Sequence, residues 1–380
     1  MKLFSKLSLL TSCLLASQFA SADIRINGFA NLNAGVTSED TNLFGYDQDI
    51  NFKDTSLFAV QISGDINDRT TATAQILARG SDDYSANLEW AYLSYEVNDN
   101  WSMSAGRLRL PVFRYSSSLD VGYSYHWISA PSAVYDVSFN NVEGIRLDYG
   151  SFVGDWEIVS QFSYGAYDNE VSGGRVDATN VILASLETTL EAFKARVVYG
   201  RGTNTFSQEA IDQAVAGIAQ VSPALADGFA IDEDKGEFLG FGLEYDNFDW
   251  FISGEYTTIA TEESFSPEDV AYYVTAGIRA GQWTPHITYQ HRDGNDDLKF
   301  VEQVNALPAP VQAAIAPIVL GLQQRFYEDY TVLTIGTRYD IDTNLALKAE
   351  ISKYDDKLDG AGIRSSLDSN LVNVSVNYIF

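Results

Sequence analysis

Leu371-Val372-Asn373-Val374-Ser375-Val376-Asn377-Tyr378-Ile379-Phe380 decides how the rest of the chain reads. Side chains on a strand alternate with period two. Val372, Val374, Val376, Tyr378 and Phe380 therefore share one face, and Asn373, Ser375 and Asn377 the other. In a soluble sheet this terminal strand would be an aggregation-prone edge. In a closed membrane barrel each backbone group meets a neighbouring strand, the apolar face meets lipid and the polar face meets water.

Working outward, sixteen segments carry the same alternation, at 24–37, 54–67, 69–80, 84–97, 101–110, 141–153, 155–165, 178–190, 192–202, 236–246, 248–259, 269–280, 282–292, 328–341, 343–354 and 369–380. In the first, Ile24, Ile26, Ala30, Leu32, Ala34 and Val36 oppose Arg25, Asn27, Asn31 and Asn33. In the seventh, Trp156, Ile158, Phe162 and Tyr164 oppose Glu157 and Gln161. In the fourth, Glu89 shares parity with Leu93 and Tyr95, which fits a bulge, a protein–protein contact or a misplaced strand. Short Asn-, Asp- and Gly-rich connections (Asn67-Asp68, Asn98-Asp99-Asn100, Gly154-Asp155, Asp246-Asn247, Gly281, Asp342-Thr343) suit tight hairpins. They alternate with long ones near 38–53, 111–140, 166–177, 203–235, 260–268, 293–327 and 355–368. The expected fold is all-β: a transmembrane antiparallel up-and-down barrel of sixteen strands, with both termini on the periplasmic, short-turn side. Such a barrel is too wide for its side chains to fill, so it encloses a channel. The long segment after the fifth strand, 111–140, is the candidate for narrowing it.

The amino end is consistent. Residues 1–22 carry Lys2 and Lys6, an apolar stretch and Ala20-Ser21-Ala22, as in a cleaved secretory signal. The barrel domain is then 23–380, starting at Asp23. Cys13, the sole cysteine, would leave with the signal, which excludes a disulfide framework and thiol catalysis. The apolar stretch 304–322 is interrupted by Pro308, Pro310 and Pro317 and does not read as a membrane helix. With 24 Lys and Arg against 52 Asp and Glu, a net charge of −28, nucleic acid is not an expected partner. The 22 Tyr and 21 Phe would supply aromatic girdles.

Asp293-Gly294-Asn295-Asp296-Asp297 starts like a calcium loop but has Leu298 and Val304 where Gly and Glu belong, so no metal site is assigned. Of three histidines, His286 and His291 point to opposite faces of one strand. No Ser/His/Asp set can be assembled, so neither catalytic residues nor a cofactor are expected.

With its signal, sixteen strands, terminal Phe380 and long segment after strand five, the chain resembles the Gram-negative outer-membrane porins. Gly106-Arg107-Leu108-Arg109-Leu110-Pro111-Val112-Phe113-Arg114-Tyr115, followed by Asp120-Val121-Gly122-Tyr123 and Trp127, is similar to porin-like proteins of marine γ-proteobacteria. The resemblance implies a water-filled channel in the outer membrane for passive diffusion of small hydrophilic solutes and ions. The alternative is a channel selective for organic anions, phosphate or oligosaccharides. The resemblance further implies an inward constriction loop, a homotrimer, contact with outer-membrane lipid and lipopolysaccharide, and insertion by the barrel-assembly machinery, with Tyr378 and Phe380 as the terminal assembly signal. The chain departs from the general porins in its inward segment. That segment holds only Asp120 and Asp136 as acids and is rich in tyrosine.

Arg107 and Arg109 are two apart, and their shared face is expected to be the lumen, with Leu108 and Leu110 outside. Arg146 with Asp148, Lys194 with Arg196, and Arg25, Arg79 and Arg279 should also point inward. A ring of guanidiniums would attract anions. Alternatively, each arginine pairs with a luminal acid such as Glu157, Glu244, Glu255 or Glu350 and stiffens the wall. The expected constriction set is Arg107, Arg109, Arg114, Asp120, Tyr123, Tyr125, Arg146 and Arg196. Apolar spacing predicts short helices within 208–226 and 307–322, either packed above the pore or acting as a lid.

Overall fold

Alternating faces become a wall of strands because lipid and water act on opposite sides of every residue pair. The structure is a computed structural model that describes residues 23–40, 43–171, 173–262, 264–294, 298–357 and 368–380. The expected signal (1–22) and part of the calcium-like motif (295–297) lie outside the described residues. The strands are β1 (Ile24–Thr37), β2 (Leu57–Asn67), β3 (Thr70–Arg79), β4 (Ala86–Glu96), β5 (Trp101–Arg109), β6 (Asn141–Val153), β7 (Trp156–Val171) and β8 (Gly174–Leu190). They continue as β9 (Phe193–Ser207), β10 (Asp234–Asp246), β11 (Trp250–Thr261), β12 (Asp269–Ile278), β13 (Trp283–Asp293), β14 (Asp329–Asp342), β15 (Leu345–Asp356) and β16 (Ser369–Ile379). Each pairs antiparallel with its sequence neighbours, and β1 closes the barrel on β16.

The closing seam explains the terminal decapeptide. The β1–β16 register runs from Phe29↔Ile379 to Thr37↔Leu371, and Gly28 and Phe380 then exchange both backbone hydrogen bonds at 2.9 Å. The Phe380 ring lies over Gly28, where a Cβ would sit 2.2 Å from the ring, and it stacks with Phe58 and Tyr378. On β16, Val374 is 50% exposed on the outer face while Asn377 is 0% exposed on the inner one. The lumen against this wall is therefore packed with protein.

Two local expectations change. Residues 166–177 are not a long loop: β7 and β8 extend to Val171 and from Gly174 as a tall hairpin. Register shifts at Gly165/Tyr167 and Thr179/Ile182 let the pattern restart, so that Tyr167, Ala178 and Val181 all stay inside. Glu89 sits in a bulge: Gln75 pairs with Trp90 and Ile76 with Leu88, leaving Glu89 unopposed and free to turn inward.

That bulge marks where the wall divides. The β3–β4 ladder runs up to Ala78↔Ala86 and the β5–β6 ladder to Arg109↔Asn141, but the β4–β5 ladder ends at Ala91↔Arg107. β5 thus peels away from β4 and carries the chain into the barrel. Gly106, at φ +135°, lies beside the branch point, where a Cβ would be 2.2 Å from the Ala91 carbonyl oxygen.

Within the inward segment are two 3₁₀ turns (Ser116–Ser118 and Gly122–Ser124) and one α-helical turn, α1 (Ser132–Tyr135). On the long-loop side lie α2 (Glu209–Ala219), α3 (Pro223–Phe229), α4 (Val301–Asn305) and α5 (Ala309–Phe326). They share a core of their own around Ile218, Phe229, Phe265, Val304 and Val319. The alanine-rich stretches therefore do form helices, packed on one another.

Candidate functional site

Residues 110–140 leave the wall and cross the lumen. Leu108, Leu110, Val112, Phe113, Tyr125, Trp127, Val134 and Tyr135 form one buried cluster with wall residues Val142, Leu183, Val198, Phe238, Ala271 and Tyr273. Burying each large side chain contributes about 1.5–3 kcal/mol, so this segment is anchored chiefly by apolar contact.

Its backbone exchanges water for wall side chains. Lys348 donates to the Gly122 and Trp127 carbonyls, and Glu350 accepts from the Ile128 amide at 2.9 Å. Gln290 accepts from the Ala133 amide at 3.2 Å, and Trp127 Nε1 donates to Thr288 at 2.8 Å. Tyr135 and Tyr273 both donate to Glu255, which also accepts from the Arg114 amide at 3.0 Å. Each bond covers a group whose burial alone would cost about 1–3 kcal/mol.

The expected constriction residues fall in different places. Arg107 and Arg109 do share a face, but that face is not the water-filled lumen. Arg107 pairs with Glu143, on the same side of β6 as the outward Ile145 and Leu147. Arg109, 6% exposed, fills the gap left where β5 peels from β4 and bridges Glu89 and Asp120. Leu108 and Leu110, expected outside, take the interior. The polar-in rule inverts here because the lumen holds an apolar segment rather than water.

Asp120 also accepts from Arg79 at 3.0 Å, and its carbonyl from Asn31 at 2.8 Å. Arg114 pairs with Glu244 and lies over the Tyr115 ring. Tyr123 donates to the Thr343 carbonyl at 2.9 Å and Tyr125 to that of Leu119 at 2.9 Å. Arg146 bonds Asp148 at 3.0 Å and faces the lumen; Arg196 donates to the Val112 carbonyl at 3.0 Å and that of Pro111. Tyr378 and Phe380 lie on the outer face at the closing seam.

The sequence puts Lys348 on the luminal face of its strand but gives it, Arg338 and Asp340 no place in the constriction set. Arg338 bonds Asp340 at 2.7 Å and the Tyr125 carbonyl at 3.0 Å. Its i, i+2 spacing with Asp340 repeats that of Arg146 and Asp148, a signal that was readable. On the short-turn side of the inward segment Arg338 and Asp340 border a recess of about 380 Å³, lined also by Tyr115, Tyr125, Asp246, Phe251 and Arg279.

A wide closed barrel, apolar outside and partly filled by its own inward segment, is the architecture of a membrane channel. Residues 9–380 match the profile of the Gram-negative porins, and the chain belongs to that family. It forms an outer-membrane channel for passive diffusion of small hydrophilic solutes and ions. No curated protein matches it by sequence. Among solved structures, the outer membrane channel DcaP of Acinetobacter baumannii has a TM-score of 0.61 at 12% identity, over 96% of this chain and 99% of that one. A loop-deletion variant of OmpT, an outer membrane protein of Vibrio cholerae, has 0.59 at 12%, over 95% and 100%. An anion-selective porin from Comamonas acidovorans has 0.57 at 10%, over 95% and 100%. At these identities the likeness speaks for the fold.

Proposed function

We propose that solutes pass through the space between the inward segment and the wall, with Arg114, Asp120, Tyr123, Tyr125, Arg146 and Arg196 bordering the narrowest part and Arg109 bracing it. The observation that carries this reading is the web of bonds tying 110–140 to the wall, which fixes one side of the passage. No bond is made or broken in transit. Since the luminal arginines lie against acids, anion preference is weak. Single-channel recording in planar bilayers tests this: Arg146→Gln should move the reversal potential towards cations, whereas outward-facing Arg107→Gln should leave it unchanged. The reverse pattern would refute the assignment.

The channel functions as a homotrimer in this reading. OmpT of Vibrio cholerae has been described in a trimer form. Supporting this for the present chain, Ala30, Ala34, Ala72, Ala74, Ala78, Ala91 and Ala105 share the outward parity of Leu32, Ile76, Leu93 and Met103 on β1 and β3–β5. Small side chains let a second wall approach closely. A neighbouring subunit would also cover the Arg107–Glu143 pair, which is costly against lipid. Chemical crosslinking in mild detergent should give a three-copy species; a monomer alone would overturn the reading. Lipopolysaccharide contact, export after a cleaved signal of residues 1–22, and recognition of Tyr378 and Phe380 by the barrel-assembly machinery complete the proposal. Deleting Phe380 should lower the assembled fraction in the outer membrane.

A further inference from the structure

The recess on the short-turn side of the inward segment has a charge pattern that the general channel reading does not use. Arg279, Thr284 and Arg338 lie in one cross-strand row over β12, β13 and β14: Gly277↔His286 places Arg279 beside Thr284, and Thr284 pairs with Arg338. Asp340 follows Arg338 by two residues on the same face. Arg279 holds Asp246 through two bonds of 2.6 and 2.7 Å and lies over Phe251, 5.1 Å from the ring centre. Around the recess three guanidiniums (Arg114, Arg279, Arg338) meet three carboxylates (Glu244, Asp246, Asp340), so it carries no net charge.

The groups differ in what they offer a solute. Arg114, Glu244 and Arg338 are largely covered by protein, whereas the Arg279, Asp340 and Asp246 side chains are 37%, 39% and 25% exposed. A free anion drawn to Arg279 also meets Asp246 and Asp340. A free cation drawn to those acids also meets Arg279. A molecule bearing both charges meets each with its opposite. Arg279 and Asp340 are two strand spacings apart, about 10 Å, and offset by two residues along the strand, about 7 Å, so their Cα atoms lie about 12 Å apart. A dipeptide, about 7 Å long when extended, covers that span with a hydrogen bond at either end.

We propose that this recess is a transit-binding site for small zwitterions of dipeptide size, with the ammonium towards Asp340 and the carboxylate towards Arg279. The proposal rests on the channel reading above and deepens it by naming a solute class.

The test uses the full-length protein in planar bilayers with KCl at neutral pH. Glycylglycine is compared with its N-acetyl form, which is an anion, and its C-terminal amide, which is a cation. Glycylglycine should reduce the KCl current saturably, with half-block at a concentration about tenfold lower than either capped form. Arg279→Gln with Asp246→Asn should erase that discrimination. Asp340→Asn alone should reduce it, which keeps the test decisive if the double variant does not assemble. Lys53→Gln, on an exposed loop away from the recess, should leave it intact. Equal block by all three probes, or discrimination that survives both sets of substitutions, would overturn the proposal while KCl conduction persists. Absence of KCl conduction would instead refute the channel reading itself.

Discussion

His126 shows how one side chain of the inward segment ties its position to pH. It is buried, its Nε2 lies 3.0 Å from the Thr275 hydroxyl, and its ring is 4.7 Å from that of His286. Burial first, then His286 and Lys348, hold its imidazole well below the usual histidine range; Arg114 and Arg279 act in the same sense. Glu350, two residues along β15 from Lys348 and 3.6 Å from His286, is a nearby acid. The docked segment thus binds a proton less readily than a released one. Docking is at full strength above about pH 6.5, the ordinary histidine value, and weakens as pH falls below it. Closing and opening events in single-channel traces should become more frequent on acidification, and His126→Gln should flatten that dependence. Asp120 is a second anchor, accepting from both Arg79 and Arg109. Asp120→Asn leaves the buried Arg109 only Glu89 and should cost about 2 kcal/mol, read as a lower thermal unfolding midpoint in detergent.

At the scale of elements, the inward course of 110–140 begins in the wall, not in the loop. The Glu89 bulge ends β4–β5 pairing early, and Gly106 supplies the backbone conformation beside the branch point. Gly106→Val puts a branched side chain onto the Ala91 carbonyl at a φ that such residues do not tolerate. Its expected result is failure to reach the heat-modifiable folded form on gels. The helical cap behaves separately because it has its own core. Phe229 is fully buried there, between Phe265 and Phe300, and Phe229→Ala should cost the cap about 3–5 kcal/mol. Limited proteolysis should then cut within 209–229 while the barrel remains folded.

For the whole molecule, the net charge of −28 and the arginine-rich lumen give opposite impressions of selectivity. Pairing settles it: Arg79, Arg114, Arg146, Arg279, Arg292 and Arg338 each lie against a carboxylate. The reversal potential in a KCl gradient should therefore stay near zero, and a strong preference for either ion would contradict this balance. Much of the architecture was legible because each strand records its surroundings locally. The bounds of β1 and β6, the seam at Phe380 and the helices in 208–226 and 307–322 could all be read from alternation, turn residues and apolar spacing. The candidate site was less legible. Parity placed Arg146 and Arg196 inside, but it could not tell that Leu108 and Leu110 face a protein-filled interior, or that Arg109 occupies a split in the wall.

By itself, then, the sequence determined the barrel: lipid outside and water inside act on every second residue, so local pattern alone sorts the faces. Only the tertiary structure decided what occupies the hollow. The bonds from Arg196, Arg338, Lys348 and Glu350 to the backbone of 110–140 join residues more than 80 positions apart. No local periodicity encodes such partners, because their meeting depends on the closed ring that brings distant strands to face one segment.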